Sequence, residues 1–217
     1  MTSAIGDDIR RERARFVDLL DDVGPDAPTL CAPWTAADLA AHVLSIDRMM
    51  GIPTFQGRLV VERFGLRLNE MWRRPRAAAA LTWATKRHAF EWIVDRLRRD
   101  PPALLLRPSV GAVGLFEIWG HREDLRRPNG RPSPGEPDLA PVVPWLLRYQ
   151  RRFLRDASVH LVADDGQGWT AGSGAEAVVR GPLPELVLWL GGRASAAEVA
   201  LTGDPEAIDR LDGRLYV

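Results

Sequence analysis

A single cysteine, Cys31, leaves the 217-residue chain without the means for an internal disulfide framework or an all-cysteine metal site, and it fits a reducing compartment. Lysine is almost missing as well. Lys86 is the only one, so the basic charge is carried by arginine, which together with abundant alanine reads as coding bias rather than arginine chemistry. Charge of either sign is not in excess: Lys+Arg and Asp+Glu are 29 each, and no global basic field exists to draw the chain to nucleic acid or to an anionic membrane. No stretch approaches eighteen consecutive apolar residues, and the opening MTSAIGDDIRRERARF places charges where a secretory signal needs an apolar run. The expectation is a cytoplasmic protein with neither nucleic-acid nor membrane partners. With 46% hydrophobic residues the chain is rich enough to bury a real core, which excludes a disordered or collagen-like chain.

Apolar spacing divides the chain into two textures. Asp7 to Asp22 carries Ile9, Phe16, Val17, Leu19 and Leu20 among charges and closes at Gly24-Pro25, which predicts a first helix. Thr35-Ala-Ala-Asp38 resembles a capping box and opens a second helix to about Met50, with Leu39, Val43, Ile46 and Met50 on one stripe. Leu59 to Trp72 predicts a short helix, Ala77 to Arg99 a long one ended by Asp100-Pro101-Pro102, and Ser109 to Arg127 a fourth long helix. The Pro/Gly-dense stretch from Arg127 to Pro141 reads as a loop, and Leu139 to Asp156 resumes a helical pattern. Beyond Ser158 come strand signals at 159–163, 169–172, 175–179 and 198–201, a helix over 183–190 and a short helix from Asp204-Pro205. This predicts an α+β chain, with a helical domain over 1–157 and a small mixed domain over 158–217.

Chemistry concentrates in Val113 to Asp124. Glu117 and His121 are four apart and project from one side of a helix. Glu117 lies among Leu115, Phe116, Ile118 and Trp119, and a covered carboxylate costs several kcal/mol unless a cation or hydrogen bonds compensate. A divalent ion such as zinc accepts a carboxylate oxygen and imidazole nitrogens, and a catalytic site keeps a position open beside three protein ligands. His42, beside the apolar stripe of the second helix, is the best third ligand, since facing helices of a bundle commonly assemble such sites. Spacing alone leaves two readings open: a metal triad, or a core histidine beside a hydrogen-bonded helix pair. Asp124 is placed to orient His121 through its other ring nitrogen, or to pair with a surface arginine. Cys31 is a fourth ligand or nucleophile on one reading and a small buried thiol on the more ordinary one. The remaining histidines, His88 (with Glu91) and His160, read as surface or structural. Of the eight tryptophans, Trp34 and Trp119 lie near these residues in sequence and could wall a pocket. No glycine pattern forms a phosphate loop.

The phrase from Pro28 to Thr35, PTLCAPWT, followed by Asp38-Leu39-Ala40-Ala41-His42, and the later EIWGHRED from Glu117 to Asp124, resemble the actinobacterial mycothiol-dependent maleylpyruvate isomerase-like family. That resemblance implies a DinB-like metal-binding four-helix bundle, with metal ligands falling on His42, Glu117 and His121. The tail, with Arg180-Gly181-Pro182, LVLWLGGR from Leu186 to Arg193 and Leu201-Thr202-Gly203-Asp204-Pro205, is similar to the small sterol-carrier-protein-like α/β domain that follows the bundle in that family. The implied activity is a zinc-type metal enzyme with mycothiol as co-substrate, acting on a small electrophile. The thiol ionises at the metal and its thiolate adds to carbon. Collapse after rotation gives cis-trans isomerisation, whereas a retained adduct gives S-transfer. A non-catalytic metal- or ligand-binding protein and a metal-assisted hydrolase are the rival expectations. The electrophile, metal identity and thiol-binding residues do not follow from the sequence.

Overall fold

The computed structural model describes residues 4–50, 85–152, 154 and 157–211. Contacts divide the chain into two compact units, Met1–Pro134 and Gly135–Val217. The division falls in the Pro/Gly-dense loop, ahead of the change of texture near 157, because the intervening helix packs on elements of the second unit.

The first unit contains α1 (Ala4–Val23), α2 (Ala36–Met50), α3 (Phe90–Leu97) and α4 (Gly111–Arg126). The apolar stripe of α1, Ile9, Phe16, Val17 and Leu20, is buried, as is that of α2, Leu39, Val43, Ile46 and Met50. α1 lies close against α4 because α4 begins with small residues: a Cβ at Gly111 would stand 2.8 Å from Ile5 Cγ2. The expected capping box opens α2. The Thr35 N–H donates to Asp38 Oδ2 at 3.1 Å, and the Asp38 N–H donates to Thr35 Oγ1 at 3.4 Å.

Two helical expectations are corrected in part. The helix expected over Ala77–Arg99 is interrupted within its described portion: Lys86 to Ala89 are non-helical, Ala89 is extended (φ −59°, ψ 148°), and α3 starts only at Phe90. The interruption brings the His88 ring onto Trp92, stacked at 4.0 Å, and sets the Lys86 ammonium against Asp38 of α2. The remainder of that expectation, and the short helix over Leu59–Trp72, lie outside the described residues. Among the described residues of the helix expected over Leu139–Asp156, only α5 (Val142–Tyr149) is α-helical, and a 3-10 turn follows at Gln150–Arg152.

In the second unit, β1 (Ala157–Ala163), β2 (Gly168–Gly172), β3 (Ala175–Gly181) and β4 (Ala200–Gly203) form one sheet in the order β2-β1-β3-β4. β1 runs antiparallel to β2 and parallel to β3, and β3 is antiparallel to β4. Alternate residues of β1, namely Ala157, Val159, Leu161 and Ala163, are buried with Ala177 and Val179 of β3. Two helices complete the unit: α6 (Leu183–Leu190), buried from Leu186 to Leu190, and α7 (Pro205–Leu211). Gln150 ties the 3-10 turn to α6 by donating from Nε2 to the Leu190 carbonyl at 2.8 Å.

Sequence neighbours β2 and β3 are not sheet neighbours, since β1 lies between them and only Ser173 and Gly174 join them. Glycine is required at the crossing. Gly172 has φ +92°, and a Cβ there would stand 2.1 Å from the Ala157 carbonyl oxygen. Among the described residues, no helix is long and apolar enough to cross a membrane.

Candidate metal centre

α2 and α4 bring three donors together. One ligand atom each from His42, Glu117 and His121 lie within 4.8 Å of one another. The His42 and His121 rings meet edge to face with centroids 5.0 Å apart, and His121 Nε2 is 3.5 Å from Glu117 Oε2. His121 is buried, whereas His42 and Glu117 are half-buried, so the cluster has an inner and an outer side.

On the inner side, Asp124 is fully buried and places Oδ2 2.8 Å from His121 Nδ1. An ionised carboxylate only accepts, so Nδ1 carries the hydrogen and Nε2 is directed toward Glu117. The Cys31 thiol donates to the same Oδ2 at 3.2 Å, which makes Cys31, His121 and Asp124 a second group of adjoining ligand-type atoms. Burial opposes a charge on His121, but hydrogen bonding to Asp124, Cys31 and Glu117 outweighs it and holds the imidazole pKa well above its ordinary value. The environment therefore favours positive charge, which is the condition for a cation-binding donor set of two imidazoles and a carboxylate.

The segment before α2 fastens the centre from outside. Pro28 and Thr35 form an isolated antiparallel bridge, and the Leu30 N–H donates to the Asp124 carbonyl at 2.8 Å. Thr29 Oγ1 accepts from the Cys31 N–H at 3.1 Å and donates to the Trp34 carbonyl at 2.8 Å. Trp34 packs its ring 5.0 Å from that of His42, whereas Trp119, the other tryptophan near these residues in sequence, is core.

His88 and Glu91 are exposed, and His160 sits in β1 against Thr170 Oγ1 at 3.0 Å. Neither belongs to the cluster of His42, Glu117 and His121.

A buried ionic network beside the centre had no signal in the sequence. Glu12 of α1 meets Arg122 of α4 at 2.9 Å, and Glu123 gathers Arg122, Arg126 and Arg127 at 3.2, 2.6 and 2.9 Å. Burial raises the Glu123 pKa, but hydrogen bonds from Arg126 and Arg127 and the charge of Arg122 bring it below the usual value. Arg13 makes a parallel tie, donating from Nε to the Leu97 carbonyl at 2.7 Å and pairing with Asp47 of α2 at 2.5 Å.

This two-part architecture, a helical unit with a His/Glu/His cluster followed by a small mixed sheet, has known relatives. The mycothiol maleylpyruvate isomerase N-terminal domain model matches residues 7–126, and the MDMPI C-terminal domain model matches residues 130–210. The chain belongs to the mycothiol-dependent maleylpyruvate isomerase family. Among solved structures, the crystal structure of the mycothiol-dependent maleylpyruvate isomerase is similar in fold, at 16% identity and TM-score 0.58, covering 94% of this chain and 97% of that one. A histidine-to-alanine mutant of that enzyme gives TM-score 0.57 at the same identity and coverage. No curated protein matches the chain.

Proposed function

We propose that the chain is a metal-dependent enzyme that uses a low-molecular-weight thiol, mycothiol, on a small electrophilic substrate, by isomerisation or S-transfer. One observation carries the reading: in a member of this family, ligand atoms of His42, Glu117 and His121, from two facing helices, lie within 4.8 Å of one another. A divalent ion of zinc's type held by these three would supply a Lewis acid beside which a thiol ionises near neutral pH. Asp124 keeps the hydrogen on Nδ1 of His121 and leaves Nε2 as the donor atom. Glu117, with a side chain 24% exposed, and half-buried His42 are the more exposed members of the triad, and on this reading a small molecule would reach the ion past them. The Trp34 ring walls His42 there.

Cys31 groups with His121 and Asp124 on the inner side rather than with His42 and Glu117. That arrangement favours an open three-ligand site over a closed structural one, whose four positions would be filled by protein groups. The single cysteine fits a place in the reducing cytoplasm, where a thiol co-substrate stays reduced.

The test is metal content of protein purified without chelator or metal-affinity resin, compared with Glu117→Ala, followed by thiol-dependent turnover of an electrophile panel. Near-stoichiometric divalent metal that is lost in the variant, with turnover requiring the thiol, supports the enzyme. A folded wild type that neither contains nor takes up divalent ions overturns it in favour of a non-catalytic role.

A further inference from the structure

We propose that the second unit carries a binding site for a small aromatic carboxylate, in the cleft between the end of α5 and β2. The cleft has a volume of about 380 Å³, within the range of about 300–1,000 Å³ that small-molecule sites occupy. Its walls are apolar: Pro144 and buried Leu147 of α5, buried Leu154 and, on the β2 side, Trp169. Its only charges among the described residues are the guanidinium groups of Arg148 and Arg151, three apart where α5 passes into the 3-10 turn.

Charge decides what fits. Among the described residues, no Asp or Glu borders the cleft, and neither arginine pairs with a carboxylate. A cavity of the helical unit shows the opposite condition. It is lined by Arg10, Arg13, Arg98 and Arg99, and each of these faces an aspartate, so their charge is already matched and nothing there calls for an anion. Basic residues suit the C-terminal end of a helix by themselves, but that preference does not require an apolar cleft beneath them. A guanidinium grips a carboxylate through two parallel N–H donors, and an indole offers its face to a ring. A molecule with an aromatic body and one carboxylate therefore uses both parts of the cleft. The ring leaves water against Trp169, Leu147 and Leu154, and the anion stays at the exposed rim with Arg148 and Arg151. A neutral arene would forgo the rim, and inorganic phosphate would forgo the walls.

The test uses full-length 15N-labelled protein, with naphthoate and benzoate as probes and naphthalenemethanol as the neutral counterpart. The Trp169 indole N–H resonance, assigned by its absence in Trp169→Phe, should shift saturably with naphthoate, and less tightly with benzoate, which covers less of the wall. Arg148→Gln/Arg151→Gln should weaken naphthoate binding by about tenfold or more, because hydrogen bonds to a charged group are lost. Both side chains are exposed, so the variant should keep a Tm near that of wild type. Ala171→Leu narrows the cleft while keeping both arginines, and it should weaken binding as well. If Ala171→Leu fails to fold, the arginine variant decides alone. The alcohol should bind about tenfold more weakly than the acid.

An indole resonance unmoved by either acid up to millimolar concentration overturns the proposal. So does naphthoate binding that survives in the arginine variant or is equalled by the alcohol, since the cleft would then be an apolar surface with no preference for anions. A resonance that moves with protein concentration and not with the acid overturns it in favour of a second copy of this chain. The metal centre takes no part in these readouts, so they stand apart from the proposed function.

Discussion

Arg122 Nε lies 2.9 Å from Glu12 Oε2, with both side chains 1% exposed, so one ion pair inside the helical unit joins α1 to the helix that carries two of the three donors. Arg122 immediately follows His121, and the pair therefore fixes the turn of α4 that presents the imidazole. Breaking it from one side strips a buried charge of one of its two partners, since Arg122 keeps Glu123. Glu12→Gln should destabilise the protein by about 1–3 kcal/mol. The double variant Glu12→Leu/Arg122→Met should recover most of that loss in urea unfolding, and a single variant as stable as wild type would contradict the pairing.

Removing a donor should empty the centre without unfolding the chain. His42→Ala and His121→Ala are expected to lower bound metal strongly while circular dichroism stays close to that of wild type, because the apolar stripes of α1 and α2 are untouched. Unchanged metal content in both variants would falsify the triad.

Proton and metal compete for His121. Its folded pKa is raised, so in the metal-free protein its stabilising contribution is complete below the unfolded value of about 6.5 and is lost as pH rises through the folded pKa. Metal uptake runs the opposite way. Zinc affinity should increase by about tenfold per pH unit above 6.5 until the folded pKa is passed, because one proton is displaced. Chelator competition across that range measures the slope, and a flat profile would remove His121 from the ligand set.

Acid should reach the carboxylates of the buried ion pairs only below the usual carboxylate range. Glu123 and Asp38 have lowered folded pKa values, so the stability they supply is present above their ordinary values of 4.5 and 3.8 and is lost as pH falls through the folded ones. Glu123→Gln should flatten the acid limb of a Tm-against-pH curve and lower Tm at neutral pH, where Arg122, Arg126 and Arg127 lose their shared partner.

The elements most legible in the sequence were those whose apolar spacing faces a single core. The helix over Leu183–Leu190 has the bounds expected, α4 differs from expectation by a residue or two at each end, and Thr35 and Asp38 cap α2. Charge was the less legible part. Glu12, Arg13, Arg122 and Glu123 carry no signal of burial, because a periodicity argument marks only apolar positions as core, yet all four are buried. Their partners lie on other helices, so no window along one helix could reveal them. The break at Lys86 to Ala89 was hidden for a related reason: alanine-rich sequence favours helix, and the stacking of His88 on Trp92 and the Lys86–Asp38 pair are tertiary contacts. At the centre, glutamate and histidine four apart marked α4, but only the fold shows that Cys31 reaches the Asp124 carboxylate.

Gly172→Ala tests the crossing in the sheet. The added Cβ would meet the Ala157 and Leu154 carbonyl oxygens at 2.1 and 2.8 Å in a backbone conformation with φ +92°. The strained conformation alone costs on the order of 1–3 kcal/mol, and the overlap adds to it. Thermal unfolding should register the loss while metal content remains that of wild type. An unaltered Tm would show that the link can relax.

The same link sets a limit on chain length. Passing from β2 to β3 around the start of β1 spans two strand spacings, about 10 Å, and three residue steps from Gly172 to Ala175 reach only about 10–11 Å when extended. Deleting Ser173 or Gly174 would therefore pull one of the two flanking strands off β1, whereas inserted residues would add only a slowly growing loop-closure cost. Length variation at this point of the domain is one-sided: the connection can grow, but it cannot shrink.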